Sequence, residues 1–391
     1  MATPRIPKTE FTKRILTIED ALRADGLDAL LVYGDEYRKE NLRYVSNFWP
    51  LFERAGCLIP ARGEPILAVA AEGERYAREM SMVEDVRVLR EFAAVTVPEE
   101  IDYPLTVFSA LKNVMADALR GGKRLGVVGL WDISERLLNR FREAAPGVEI
   151  VDVDHVLVEM RLIKSATEIA CLKEAGRLAC IGYERLMEVC EPGRSELYLA
   201  GAGEGAAKMA GAESINFMVL GSGPRTGTII GRPVRRVIED GDMVMASLAV
   251  QYEGYVATAE FPLVAGRASA EQRDLLGVLF EAANVQLNYL HDGAVSGEMV
   301  RAVRDVFRKH RLDQYDVYPP MHGIGLAEAE RPYPDEKSTY ALRTGMCVNS
   351  DISLFGHRAG SNRIEEGFVI TGGAPQSLTP LIRDLCERAT K

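Results

Sequence analysis

The sequence predicts an α/β domain followed by an α+β domain, and three observations predict it. Short apolar runs alternate with helical stripes over residues 1–160. A helix start signal follows Arg161-Leu-Ile-Lys164, where the character of the chain changes. Beyond it, helices and apolar strands come in blocks rather than in alternation. A length of 391 residues accommodates two domains, drawn here as 1–160 and 161–391.

In the first domain, residues from about Phe11 to Asp25 read as a helix stopped by Gly26. Ala29–Val32, Cys57–Ile59, Pro65–Ala70 and Arg124–Val128 read as short buried strands, and Val148–Val153 closes the unit. Helical stretches near 105–120 and 133–144 separate the later strands. In the second domain, Ser165 with Glu168, and Ser269 with Gln272, have the spacing of capping boxes. Behind them run the stripes Ile169, Leu172, Ala175, Ala179 and Leu275, Leu279, Ala283. Met299, Val303, Val306 and Phe307 mark a third helix. Phe217–Leu220, Met243–Ala246, Gly254–Ala257 and Phe368–Ile370 read as strands.

Composition narrows the function. The 57 Asp and Glu exceed the 47 Lys and Arg by ten, which argues against a nucleic-acid backbone or an anionic membrane as partner. Six dispersed cysteines without a CxxC pair indicate reduced thiols rather than a disulfide framework or a zinc ribbon. With no apolar leader and no long apolar run, a cytoplasmic protein is expected. Gly221–Gly227 follows a strand but lacks the helix of a dinucleotide fingerprint and the Gly-Lys-Ser/Thr of a Walker loop, so it reads as a turn.

Of the five histidines, His155, His291, His310 and His357 read as edge or surface residues. His322 stands apart in Met321-His-Gly-Ile-Gly-Leu326, because glycines after a histidine let backbone or ligand approach closely. Asp351 and Glu365 lie downstream in extended, partly apolar segments. A carboxylate there is either solvated or buried and functional.

These residues, in this order, resemble the creatinase/prolidase/methionine aminopeptidase family, whose catalytic domain has the pita-bread fold. The motifs are Ile163-Lys-Ser-Ala-Thr-Glu-Ile169, the hairpin from Ile238 to Tyr255, His322-Gly-Ile-Gly-Leu326, Gly345–Asp351 and Asn362-Arg-Ile-Glu-Glu366. The resemblance covers essentially the whole chain and implies a creatinase-type, ribonuclease H-like first domain and a homodimer.

The family's peptidases hold two divalent ions with Asp, Asp, His, Glu and Glu. The matching positions here are Ser247, Thr258, His322, Asp351 and Glu365, and neutral hydroxyls are poor ligands for such ions. Neither metal nor cofactor is therefore expected. The resemblance then points to the metal-free creatinase branch, with Glu260 and Glu365 gripping a cationic group of a small substrate through fork-like hydrogen bonds. A solvated hairpin residue is the alternative for Glu260.

His322 would be the acid/base, oriented by Asp351, with His357 a further candidate. Phe52 and Arg54 resemble a Phe-x-Arg that contacts a substrate carboxylate across the dimer. The family's other histidines are absent, from Ile229–Val234 and at Ala329. The expected function is hydrolysis of a non-peptide C–N bond in a guanidino, amidino, ureido or ectoine-like compound. The alternatives are a metal-dependent Xaa-Pro peptidase or lyase of this fold, and a non-catalytic binding protein.

Overall fold

The structure is a computed structural model and describes residues 3–94 and 100–389. The chain divides into two compact units, Ile6–Met160, and Arg161–Lys391 together with Met1–Arg5.

The first unit contains α1 (Lys8–Ala24), β1 (Ala29–Asp35), α2 (Glu40–Ser46), β2 (Arg54–Pro60), β3 (Ile66–Val69), α3 (Glu74–Met80), β4 (Asp85–Val88), α4 (Leu111–Leu119), β5 (Arg124–Val128), α5 (Glu135–Ala144) and β6 (Glu149–Asp152), followed by α6 (Asp154–Leu162). Its six-stranded sheet has the order β4-β3-β2-β1-β5-β6. The β1–β2 and β2–β3 pairs are antiparallel and the outer pairs parallel. Helix α1 ends where expected, with Gly26 at φ +64°. Strand β4 is absent from the sequence reading because Asp-Val-Arg-Val is too short for its alternation to register.

The second unit contains α7 (Ala166–Glu188), α8 (Glu196–Met209), β7 (Ser214–Ser222), β8 (Met243–Tyr252), β9 (Tyr255–Ala259), β10 (Leu263–Val264), α9 (Ala270–Leu287), α10 (Ser296–Lys309), β11 (Met321–Gly323), β12 (Cys347–Leu354), β13 (Asn362–Val369), β14 (Gln376–Ser377) and α11 (Pro380–Ala389). In one sheet β8 lies between β10 and β7 and also pairs with β9; the other has the order β11-β12-β13-β14. A backbone bridge links the two: Glu260 N donates to Glu365 O (3.2 Å), and Glu365 N donates to Glu260 O (3.1 Å). Strands β8, β12 and β13 are buried along their whole length, which explains their mixed apolar and polar runs without a solvated face.

Helix α8 is missing from the sequence reading because Gly201, Gly203 and Gly205 lower its propensity. Tertiary contact sustains it: a Cβ on Gly182 of α7 would lie 2.8 Å from Gly203 O of α8, so the two helices cross almost backbone to backbone. Both predicted capping boxes form. Ser165 accepts from Glu168 N at 3.2 Å, and Glu168 Oε2 accepts from Ser165 N at 2.8 Å. Ser165→Ala is expected to lower stability by about 1 kcal/mol, read as a shift in the urea midpoint, with Ser165→Asp retaining most of it. Of the stretch read as a turn, Gly221 and Ser222 end β7, and a 3-10 segment runs over Gly223–Thr228. No helix is long and apolar enough to cross a membrane among the described residues.

Candidate active site

The polar residues singled out in the sequence converge where β11, β12 and β13 meet the end of β9. In a strand, alternate residues share a face, so Asn349, Asp351 and Ser353 of β12 point the same way, as do Arg363 and Glu365 of β13. Register sets Asp351 directly opposite Glu365, and Ser353 opposite Arg363. Two carboxylates facing each other in a buried sheet repel, so a cation is needed between them.

Arg363 supplies it. Its Nε lies 2.7 Å from Glu260 Oε2, 3.0 Å from Glu365 Oε1 and 3.9 Å from Asp351 Oδ1. Its Nη1 donates to Tyr318 Oη at 2.9 Å, and that hydroxyl donates to Asp351 Oδ1 at 3.3 Å. Ser247 Oγ donates to the other oxygen of Glu365 at 2.8 Å. Burial pushes Glu260 and Asp351 up from the usual carboxylate range; Arg363 opposes the shift, and the neighbouring carboxylates add to it. The same carboxylates hold Arg363 firmly charged, well above its ordinary value and against the effect of burial.

His322 lies on β11 opposite Asn349, buried and stacked on Tyr333 with ring centroids 5.7 Å apart. Its Nδ1 lies 3.1 Å from Gly323 O, and its Nε2 lies 3.6 Å from Glu328 Oε1. Burial alone would lower this imidazole, but the charges of Glu328 and Asp351 lift it above its ordinary value. The carboxylate nearest its ring is therefore Glu328, and not Asp351 as expected. Glu328 also accepts from Thr258 Oγ1 at 3.4 Å. Nothing in the Ala327-Glu-Ala-Glu330 run distinguishes Glu328 before the chain folds back. The glycine after His322 serves the backbone: a Cβ on Gly323 would lie 2.2 Å from Arg331 O.

A cavity of about 950 Å³ opens on this cluster, lined by His322, Glu328, Asp351, Arg363, Glu365 and Tyr333 among others. Ala329 and the 229–233 segment, the places without the family's histidines, line it too. Glu260 does not; it is fully buried against Arg363. His357 sits in the β12–β13 turn, its ring edge-on to Tyr315 at 5.1 Å, outside the cavity lining. In the first unit, Phe52 is 61% exposed at φ +42°, and Arg54 donates from Nη1 to Ala93 O at 2.8 Å.

Fold and site together define a two-domain hydrolase architecture of the creatinase/prolidase type. The chain matches metallopeptidase family M24 over residues 170–372 and the creatinase/prolidase N-terminal domain over residues 14–163, and it belongs to that family. It is similar to the Xaa-Pro dipeptidase of Pyrococcus horikoshii, 26% identical over 377 residues, which cover 96% of this chain and 98% of that protein. It is also similar to the Xaa-Pro dipeptidase of Pyrococcus furiosus, 25% identical over 288 residues (73% and 82%). The crystal structure of the Pyrococcus horikoshii prolidase superposes with a TM-score of 0.81 at 24% identity, covering 94% of this chain and 98% of that one, and shows the same fold.

These relatives overturn the expectation of a creatinase-like hydrolase of a non-peptide C–N bond, because they are peptidases by name. The physical reason is visible in the site. Glu260 and Glu365 do grip a guanidinium, but it belongs to Arg363 of the chain itself.

The family implies divalent metal, and the residues present do not fit it. Ser247 and Thr258 occupy the two aspartate positions implied by the resemblance. One oxygen of Glu365 already accepts from Ser247, and the other lies 3.0 Å from the charged Arg363 Nε. Among the described residues no group of three His, Cys, Asp or Glu side chains is placed to hold an ion.

Proposed function

We propose that this chain is a peptidase-type hydrolase of short peptides of the Xaa-Pro class. The observation that carries the reading is the near full-length similarity to Xaa-Pro dipeptidases, combined with a cavity whose wall holds His322, Glu328, Asp351, Arg363 and Glu365. A cavity of about 950 Å³ is in the range of small-ligand sites.

Arg363 places a fixed positive charge beside the cavity, suited to the oxygen of a polarised carbonyl. Asp351 and His322 are both shifted upward from their ordinary values, so each holds a proton to a higher pH than it would in water and can exchange it with a bound ligand. Glu328 pairs with the imidazolium form of His322, and Tyr333 fixes the ring plane. A homodimer, with Phe52 and Arg54 meeting a partner's substrate, is part of the same proposal.

A second reading is favoured by the neutral side chains at 247 and 258: a protein that binds such peptides without cleaving them. Release of free proline from a panel of Xaa-Pro dipeptides, followed by chromatography with and without added Mn²⁺, separates the two. Turnover is expected. Ligand-dependent stabilisation in a thermal shift with no proline released in either condition would rule out the hydrolase and leave the binder.

A further inference from the structure

We infer that the guanidinium of Arg363 is the resident cation of this centre and that it excludes divalent ions from it. The inference stands whether or not the chain cleaves peptides, because it concerns what neutralises the buried carboxylates.

Glu260, Asp351 and Glu365 converge on one point from two strands and the end of a third, and all are buried. Such a group persists where positive charge or bound protons offset its own charge. The charge at that point is Arg363, itself 5% exposed, with Nε between Glu260 and Glu365 and Nη1 held by Tyr318. Strand geometry puts it there: Arg363 lies two residues before Glu365, on the same face and diagonal to Asp351. Tyr318 anchors the far end, so the head group cannot swing out without giving up both that hydroxyl and its carboxylate partners.

An ion bound by these carboxylates would need oxygens at about 2.0–2.2 Å and would then sit against the guanidinium, positive charge beside positive charge. The two substituted positions match this arrangement. At 247 an aspartate would add a negative charge beside Glu365, whereas Ser247 donates a hydrogen bond to it. At 258 the threonine donates to Glu328 in the same way. One guanidinium and two hydroxyl donors together do locally what bound metal would do.

The test reads metal and melting, not turnover, so its failure is distinct from failure of the peptidase reading. Wild-type protein incubated at pH 8 with excess MnCl₂ or ZnCl₂ and then desalted is expected to keep less than about 0.1 equivalent of metal, with no rise in melting temperature. Retention of an equivalent or more that Glu365→Gln removes would overturn the inference. In Arg363→Ala the carboxylates lose their cation, and Mn²⁺ is expected to raise the melting temperature by about 5 °C or more. If that variant folds only when Mn²⁺ is present, the result reads the same way. If Mn²⁺ changes neither its melting nor its folding yield, Arg363 does not stand at a cation position and the inference fails.

Discussion

Exchange of Glu365 for Gln is expected to lower turnover of Xaa-Pro dipeptides by about 10²–10⁴-fold, the range for removing a group that sets proton transfer at a reacting centre. Glu365 accepts from Ser247 through one oxygen, pairs with the Arg363 guanidinium 3.0 Å from the other, and faces Asp351 across the β12–β13 pair. An amide of the same shape keeps an acceptor for one of these donors but turns a donor toward the other. It also removes one of the charges that hold Arg363 in place. The loss is expected in kcat more than in KM, because the side chain sets the charge balance of the centre as well as lining the cavity. Steady-state kinetics on one dipeptide, with circular dichroism to confirm folding, checks it. Activity within about threefold of wild type would remove Glu365 from the chemistry.

Stability depends most on a carboxylate that the motifs do not include. Glu330 is buried between two cations, with Oε1 2.7 Å from Lys164 Nζ and Oε2 in contact with Arg161 Nη2. Its backbone pairs with Gly323, the residue after His322, through Gly323 N to Glu330 O (3.0 Å) and Glu330 N to Gly323 O (2.9 Å). Glu330→Gln removes the charge that two buried cations share and is expected to cost about 3–5 kcal/mol, read from urea unfolding.

The pH dependence has a definite sign. Burial alone would raise the Glu330 carboxyl, but Arg161 and Lys164 hold it below its ordinary 4.5. A depressed folded value means that the contribution is fully present above pH 4.5 and is lost as pH falls through the folded value. The wild type is therefore expected to lose this increment on acidification below 4.5, and Glu330→Gln to lack that part of the acid sensitivity. A cost under about 1 kcal/mol would show that the triad is solvated, as surface pairs are.

Much of this molecule is legible one segment at a time. Helix α7 announces itself through Ser165, Glu168 and its apolar stripe, because capping and periodicity act within a few residues. Strands β1, β5 and β8 are short apolar runs between turn signals. His322 is recognisable by the glycines that follow it, and Asp351 and Glu365 through the resemblance of their segments to the family's motifs. Helix α8 and strand β4 are not legible, since what sustains the first is a backbone crossing at Gly182 and Gly203, and the second is four residues long.

The sequence by itself determined the two-domain plan and the family, and it singled out His322, Asp351 and Glu365, which line one cavity. It also carried a sound piece of chemistry, that paired glutamates suit a guanidinium. Only the tertiary structure decided whose guanidinium it is. Arg363 is invisible as the answer because its role depends on register, with Asp351 opposite Glu365 and the end of β9 bridged to β13, and register is a relation between segments far apart in the chain. The same holds for Glu328 and Glu330, which acquire a histidine and a pair of cations only when the chain folds back past Gly323. Local propensity depends on neighbours in sequence. The charge balance of a buried site depends on neighbours in space, and here those neighbours lie up to 169 residues apart.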